Sequence, residues 1–202
     1  MIRYLALGDS YTVGTGVKPS ESWPAQLAAA LIREGYPAIE PRIVAVNGWA
    51  TDELITGIET ARLQDSYELV SLQIGVNNQY RGRSLANYRS ELRQLLKLAI
   101  RLANNKGENI IVVSIPDWGV TPFARNHDRT RVGAEIVRFN QVKSQEAFTF
   151  GAMFVDVTAI SRQAGEESEL FAGDGLHPAA KQYAAWVELI LPVARAILDR
   201  DL

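Results

Sequence analysis

The 202-residue chain predicts an α/β protein, a doubly wound parallel sheet held between two layers of helices. Three observations carry that prediction. Five short apolar runs are spread along the chain, most of them closed by Gly, Asn or Pro. The stretches between them repeat their apolar residues at intervals of three and four, the period of an amphipathic helix. The runs are also continuous rather than alternating, so their strands need cover on both faces, and parallel strands imply right-handed crossovers.

The first run, Tyr4 to Leu7, stops at Gly8-Asp9-Ser10 and reads as a buried strand. Gly8 allows a turn where a side chain would clash, and Asp9 tolerates unusual backbone angles. Ser10 therefore stands at the carboxyl end of a strand, the edge where ligands bind in open α/β sheets. Tyr11 to Glu21 is rich in Gly, Thr, Ser and Pro and predicts a loop. Ser22 opens a helix through Trp23, Leu27, Ala30 and Leu31 that ends near Gly35. Pro41 to Val46 predicts the second strand. Gly48 opens a turn before Thr51-Asp52-Glu53, a helix start continued by Leu54, Ile58, Ala61 and Leu63.

Leu69 to Ile74 predicts the third strand, ending at Gly75. From Ser84, the set Leu85, Tyr88, Leu92, Leu95, Leu96, Ala99 and Leu102 makes the best amphipathic helix, closed by Asn104, Asn105 and Gly107. Ile110 to Ile115 is the fourth strand, stopped by Pro116. Thr130 to Phe150 predicts a helix, and Met153 to Val157 the fifth strand. A loop with Gly165 and Gly173 leads to Pro178 and a last helix through Tyr183, Trp186, Val187, Ile190 and Ile197.

Neither repeats nor a Pro-, Gly- or Ser-rich linker divides the chain, so residues 1–202 are expected to form one domain. A net charge of -2 with both signs interspersed gives no electrostatic reason to expect nucleic acid or an anionic membrane as partner. The absence of cysteine excludes a disulfide framework, a thiolate metal site and a Cys nucleophile. No run approaches the ~20 apolar residues of a membrane span, and strand-like residues lead straight into Ser10. A cytosolic protein is the expectation, its oligomeric state left open.

A serine at a strand end needs a base before it acts as a nucleophile. The chain has two histidines. His177 lies in Gly173-Asp174-Gly175-Leu176-His177-Pro178, with an acid three residues before it. His127 lies in a charged stretch without an apolar frame and reads as a surface residue in a solvated loop. The turns after strands one, two and three, at Ser10, Asn47-Gly48-Trp49 and Gly75-Val76-Asn77-Asn78, are able to meet the Asp174–His177 loop at one sheet edge. Acyl transfer asks for these parts: a base for the Ser10 proton, an acid to orient the imidazole, and donors facing the oxyanion. The backbone N–H groups of Ser10 and Gly48 and the Asn77 amide make three such donors. For Asp174 a second reading stands, as a cap for the helix after Pro178, and for Asn77 as a plain turn residue. Asp9 is read as bracing its own turn.

Gly8-Asp9-Ser10, Gly48, Gly75-x-Asn77 and Asp174-x-x-His177-Pro178 resemble the four sequence blocks of the SGNH hydrolases, the GDSL-type esterases and lipases, in family order and over nearly the whole chain. The resemblance implies a flavodoxin-like three-layer α/β/α fold with five parallel strands in the order 2-1-3-4-5. It implies Ser10 as nucleophile, His177 as base, Asp174 as the orienting acid, and Ser10, Gly48 and Asn77 as the oxyanion hole. Two departures stand out. The third block usually reads Gly-x-Asn-Asp, and here Asn78 replaces the acid, which predicts altered loop bonding and substrate fit rather than lost catalysis. In the second block the bulky Trp49 follows Gly48.

No metal or cofactor is expected, since no second His or Cys stands at ligand spacing. Gly14-Thr15-Gly16 lacks the Gly-Lys-Ser/Thr of a phosphate loop and the Rossmann spacing. Trp23, Tyr183 and Trp186 sit at core positions of helices. Trp49, Tyr80, Trp118 and Phe123 fall in loops at strand ends, and Trp49, Tyr80 and Trp118 in particular are candidates to line a substrate pocket. The Gly-x-Ser-x-Gly elbow is absent, and so is a long lid segment. The expected substrate is a small soluble ester, short-chain acyl or acetyl, cleaved through an acyl-enzyme. The competing reading is a flavodoxin-like module that binds FMN or another small ligand at the same crevice, a reading that leaves Asp174 and His177 without a purpose.

Overall fold

The computed structural model describes residues 1–63, 66–165 and 167–201. Five strands, β1 (Ile2–Gly8), β2 (Ile39–Ala45), β3 (Leu69–Gln73), β4 (Ile110–Val113) and β5 (Met153–Val155), form one parallel sheet in the order β2-β1-β3-β4-β5. Tyr4 to Leu7 and Ile110 to Val113 are completely buried, as continuous apolar runs require. β2 lies at the edge, and only Ile39 and Val44 of its side chains are buried.

The register positions the site. Gly8, the last residue of β1, pairs with Ala45 on one side and Gln73 on the other. The carboxyl ends of β1, β2 and β3 are therefore level, and the turns that follow them open onto the same edge. The chain order reverses between β1 and β3, which leaves a crevice there.

Helices α2 (Trp23–Arg33) and α8 (Ala180–Leu198) pack together on one face of the sheet. Helices α3 (Thr51–Thr60), α5 (Leu85–Leu102) and α6 (Arg129–Thr149) cover the other. α5 buries the stripe read from the sequence, Tyr88, Leu92, Leu95, Leu96, Ala99 and Leu102, except Leu85 at its start, which is half-buried. Each leucine of that stripe contributes about 1.5–3 kcal/mol relative to exposure. The buried Trp23 indole donates to Gln73 Oε1 at 2.9 Å, and Gln73 Nε2 donates to the Ser114 carbonyl at 3.2 Å, so a polar residue inside the sheet is satisfied from two elements.

Three short helices depart from the sequence reading. α1 (Ser10–Val13) stands where a loop from Tyr11 to Glu21 is expected, α4 (Val76–Tyr80) follows β3, and α7 (Thr158–Gln163) follows β5. Segments of four to six residues are too short to show a helical period; caps and tertiary contacts decide them. α3 ends at Thr60, so Leu63 lies beyond it. Among the described residues no helix is long and apolar enough to cross a membrane.

Candidate active site

Asp9 builds the turn that presents Ser10. Its carboxylate accepts from Tyr11 N–H at 3.0 Å and caps α1, and its carbonyl accepts from the N–H groups of Thr12 and Val13. A Cβ on Gly8 would lie 2.1 Å from Thr12 Oγ1 and 2.5 Å from the Gln73 carbonyl, so the strand enters this turn only as glycine. Ser10 is the first residue of the helix, where a backbone N–H has no partner within the helix. Asp9 is buried, and that burial pushes its carboxyl up to about 7 against the Tyr11 hydrogen bond and the nearby Lys143. Lys143, fully buried on α6, donates from Nζ to the Val113 carbonyl at 2.9 Å; burial brings its amine down to about 7.

The loop before α8 carries the second group. Asp174 Oδ1 accepts from the N–H groups of Leu176 (2.9 Å) and His177 (3.0 Å), and Oδ2 lies 2.6 Å from His177 Nδ1. One carboxylate thus shapes the loop and holds the imidazole, which combines the two readings of Asp174 in part: it caps its own loop rather than α8. Burial opposes the Asp174 charge, but the bonds from the ring and backbone of His177 and from Leu176 outweigh it and hold the carboxyl below its ordinary range. The His177 ring is buried and lies 5.7 Å from the Tyr11 ring. The loop is tied to the rest of the site by Phe123 N–H, which donates to the Gly175 carbonyl at 2.9 Å.

The third group comes from α4. Gly75 enters it at φ 126°, and a Cβ there would come within 2.8 Å of the Tyr88 ring. Asn77 Nδ2 donates to the Trp49 carbonyl at 2.9 Å. That bond uses one amide hydrogen and fixes the direction of the other. The departure at Asn78 is explained next to it. Asn78 is fully buried, accepts from Thr51 N–H at 3.1 Å and donates to Thr51 Oγ1 at 2.6 Å, which leaves the Thr51 hydroxyl proton for Glu91. A carboxylate at position 78 would compete with Glu91 for that one proton.

Ser10, His177 and Asn77 line one cavity of about 190 Å³, with Tyr80, Trp118 and Phe123 among its walls. Tyr80 and Trp118 are thus placed where the sequence reading put them. Trp49 is not, and that expectation is corrected. Its ring lies over α3, where a Cβ on Gly57 would come within 2.3 Å of it, and only its carbonyl, through Asn77, serves the site. In the turn after β2 it is Asn47 that lines the cavity. Gly48 follows at φ 88°, its carbonyl accepting from Arg81. His127 is exposed, as expected, but it is not simply solvated. It stacks on Phe123 (centroids 5.5 Å apart, planes 23° apart) and meets Trp118 edge-on at 5.1 Å.

Sequence reasoning missed Asn47 and the buried Gln79, whose Oε1 accepts from Trp118 Nε1 at 2.8 Å. Asn47 was legible as the neighbour of Gly48. Gln79 had no signal, because its partner is 39 residues away.

Comparison with known proteins gives the family and the fold. The profile of the GDSL-like Lipase/Acylhydrolase family matches residues 6–185. An arylesterase of Vibrio mimicus is 29% identical over 125 residues, 58% of this chain and 58% of the relative, so the match spans little more than half of that protein. Esterase TesA of Pseudomonas aeruginosa is 23% identical over 202 residues, 96% of this chain and 88% of the relative. The crystal structure of a lipase/acylhydrolase from Enterococcus faecalis shares the fold, with a TM-score of 0.77 and 18% identity over 99% of this chain and 97% of that one. Fold and family together define the class as that of the carboxylic ester hydrolases. Within that class, the chain belongs to the GDSL-like lipase/acylhydrolase family. Membership does not favour the flavodoxin-like ligand-binding alternative.

Proposed function

We propose that this protein, residues 1–202 forming one hydrolase domain, cleaves carboxylic esters of small soluble substrates, short-chain acyl or acetyl, through an acyl-enzyme on Ser10. The observation that carries the reading is the Asp174–His177 contact of 2.6 Å, on a histidine that shares a cavity with Ser10 and Asn77. The names of the relatives, an arylesterase and an esterase, support ester substrates. A cavity of about 190 Å³ supports a small acyl group.

With Nδ1–H donating to Asp174, His177 offers the lone pair of Nε2 to the Ser10 hydroxyl. Ser10 Oγ attacks the ester carbonyl as its proton passes to Nε2. The oxyanion that forms is held by the N–H groups of Ser10 and Gly48 and by the second Asn77 amide hydrogen. The C–O bond to the alcohol breaks, and the alcohol takes the proton from His177. Water then gives a proton to the same nitrogen, attacks the acyl-enzyme, and releases the acid with Ser10 restored. His177 thus accepts and returns one proton in each half. The cytosol is the compartment proposed with this activity, and cell fractionation tests it.

The test is hydrolysis of p-nitrophenyl acetate, butyrate and octanoate by the wild type and Ser10→Ala, with labelling by a serine-directed phosphonate. Loss of turnover and of labelling in the variant is expected. Retention of most of the esterase activity by Ser10→Ala would refute the assignment.

A further inference from the structure

The small cavity shares the Trp118 indole with a neighbouring space. Beyond the indole lies a second, larger groove of about 630 Å³, bordered by Tyr80 and Trp118 and rimmed by Arg83, Asp128, Arg131 and Glu135. Tyr80 and Trp118 are common to the two spaces. Tyr80 is half exposed, whereas Trp118 is only 3% exposed. The fixed part of the partition is therefore the indole.

We propose that Trp118 is the specificity-determining residue for acyl length, a rigid partition that closes the reaction cavity off from the groove, and that Gln79 is the residue positioning it. This inference rests on the ester-hydrolase reading of Ser10 and names what limits its substrate. The indole is held from several sides. Nε1 donates to Gln79 Oε1 at 2.8 Å, and Gln79 Nε2 donates to Glu135 Oε2 at 2.8 Å. Glu135 in turn accepts from Arg131 Nε at 2.8 Å, so the bond to Trp118 is the inner end of a chain anchored on α6. The preceding backbone is pinned as well. Asp117 N–H donates to Ser161 Oγ at 2.8 Å, and its carboxylate accepts from Gly119 N–H at 2.9 Å and Arg162 Nε at 2.8 Å. Tyr80 and Phe123 meet the indole edge-on at 5.6 and 6.0 Å.

The volumes give the partition its consequence. The reaction cavity, about 190 Å³, is less than a third of the groove, about 630 Å³, so the larger space for a longer acyl chain lies past Trp118 and Tyr80. An octanoyl group has four more carbons than a butyryl group, and the buried indole stands between them and that space. Truncating Trp118, the buried member of the shared pair, is expected to join the two spaces. Leu85, Val132 and Phe139 are among the groove's walls, so an alkyl chain entering it would meet apolar surface as well as the charged rim.

Acyl-length preference reads this directly, as the ratio of kcat/KM for p-nitrophenyl octanoate to that for the acetate. The wild type is expected to favour acetate and butyrate over octanoate by at least about tenfold. Trp118→Ala should raise the octanoate-to-acetate ratio by about tenfold or more, and Trp118→Phe, which keeps a wall, by much less. Gln79→Leu keeps the bulk but frees the indole, and it should shift the ratio in the same direction by a smaller factor; a purely structural role for Gln79 would lower all three rates together. Val76→Phe narrows the same cavity without touching the partition, and should penalise butyrate more than acetate even if the alanine variant does not fold. An unchanged ratio in a Trp118→Ala protein whose Ser10 still reacts with the phosphonate would overturn the inference alone; equal wild-type use of all three chains would overturn it together with the short-chain preference, leaving Ser10 as nucleophile. Failure of wild-type Ser10 to react with the phosphonate would instead overturn the ester-hydrolase reading on which it stands.

Discussion

Asp174 holds His177 three times, at its ring through Oδ2 (2.6 Å), at its own backbone N–H through Oδ1 (3.0 Å), and through the neighbouring N–H of Leu176 (2.9 Å). Orientation and tautomer of the imidazole are thus set by a single carboxylate. In Asp174→Asn the amide nitrogen is able to donate to Nδ1 and turn the wrong tautomer toward Ser10. The expected loss is about 10³–10⁴ in kcat with the fold retained, measured by steady-state hydrolysis beside circular dichroism. Because Asp174 stays ionised below the ordinary carboxylate range, its protonation does not set the acid side of the wild-type pH–rate profile. A profile whose acid limb moved with Asp174 substitutions that preserve the tautomer would contradict this.

Asn77 is fixed by the Trp49 carbonyl, so in the proposed mechanism its free amide hydrogen needs no reorganisation when charge develops. Asn77→Ala should lower kcat by about 10²–10³, near 3–4 kcal/mol of transition-state stabilisation, with a far smaller change in KM. A loss confined to KM would show that Asn77 binds the ground state instead.

Asn78 and Glu91 share the Thr51 hydroxyl between them, one as donor and the other as acceptor. Asn78→Asp puts a second carboxylate on that hydroxyl in a buried place, and should cost about 1–3 kcal/mol of stability at pH 7. Adding Glu91→Gln should return a good part of that loss. Denaturant unfolding of the two single variants and the double variant measures the coupling, and strict additivity would show that the three residues are not one network.

Lys143 gives a pH-dependent stability of known sign. The unfolded chain keeps this amine protonated up to about 10.5, whereas the folded chain releases the proton at about 7. Between those values the unfolded state binds more protons, so this lysine makes stability rise with pH. Asp9 acts in the window below. Its folded carboxyl titrates at about 7 against 3.8 unfolded, so its contribution is present at low pH and is lost as pH rises toward about 7. Lys143→Met removes the upper limb. Urea unfolding at pH 7 and pH 10 should show the wild type gaining on the variant by about 1.4 kcal/mol for each pH unit climbed between the two titration points. Parallel curves would mean that the amine is not buried as described.

The sequence by itself determined the sheet, the order of its elements and the residues that meet at its edge. Continuous apolar runs at Tyr4–Leu7 and Ile110–Val113 belong only to strands covered on both faces, and the stripe of α5 is a one-dimensional pattern that any reader of the period recovers. Ser10, Asp174, His177 and Asn77 were legible as a cluster because each lies in a short local block that follows a strand end or precedes the last helix. What tertiary structure alone decided is which way side chains turn between elements far apart in the chain. Trp49 and Trp118 look alike in sequence, each an aromatic after a strand end. Gly57, eight residues on, leaves a hollow that takes the Trp49 ring, while Gln79, 39 residues back, holds the Trp118 indole at the cavity. The short helices α1 and α4 were hidden for the same reason. A helix of four or five residues is stabilised by a cap such as Asp9 and by its neighbours, not by a period of its own.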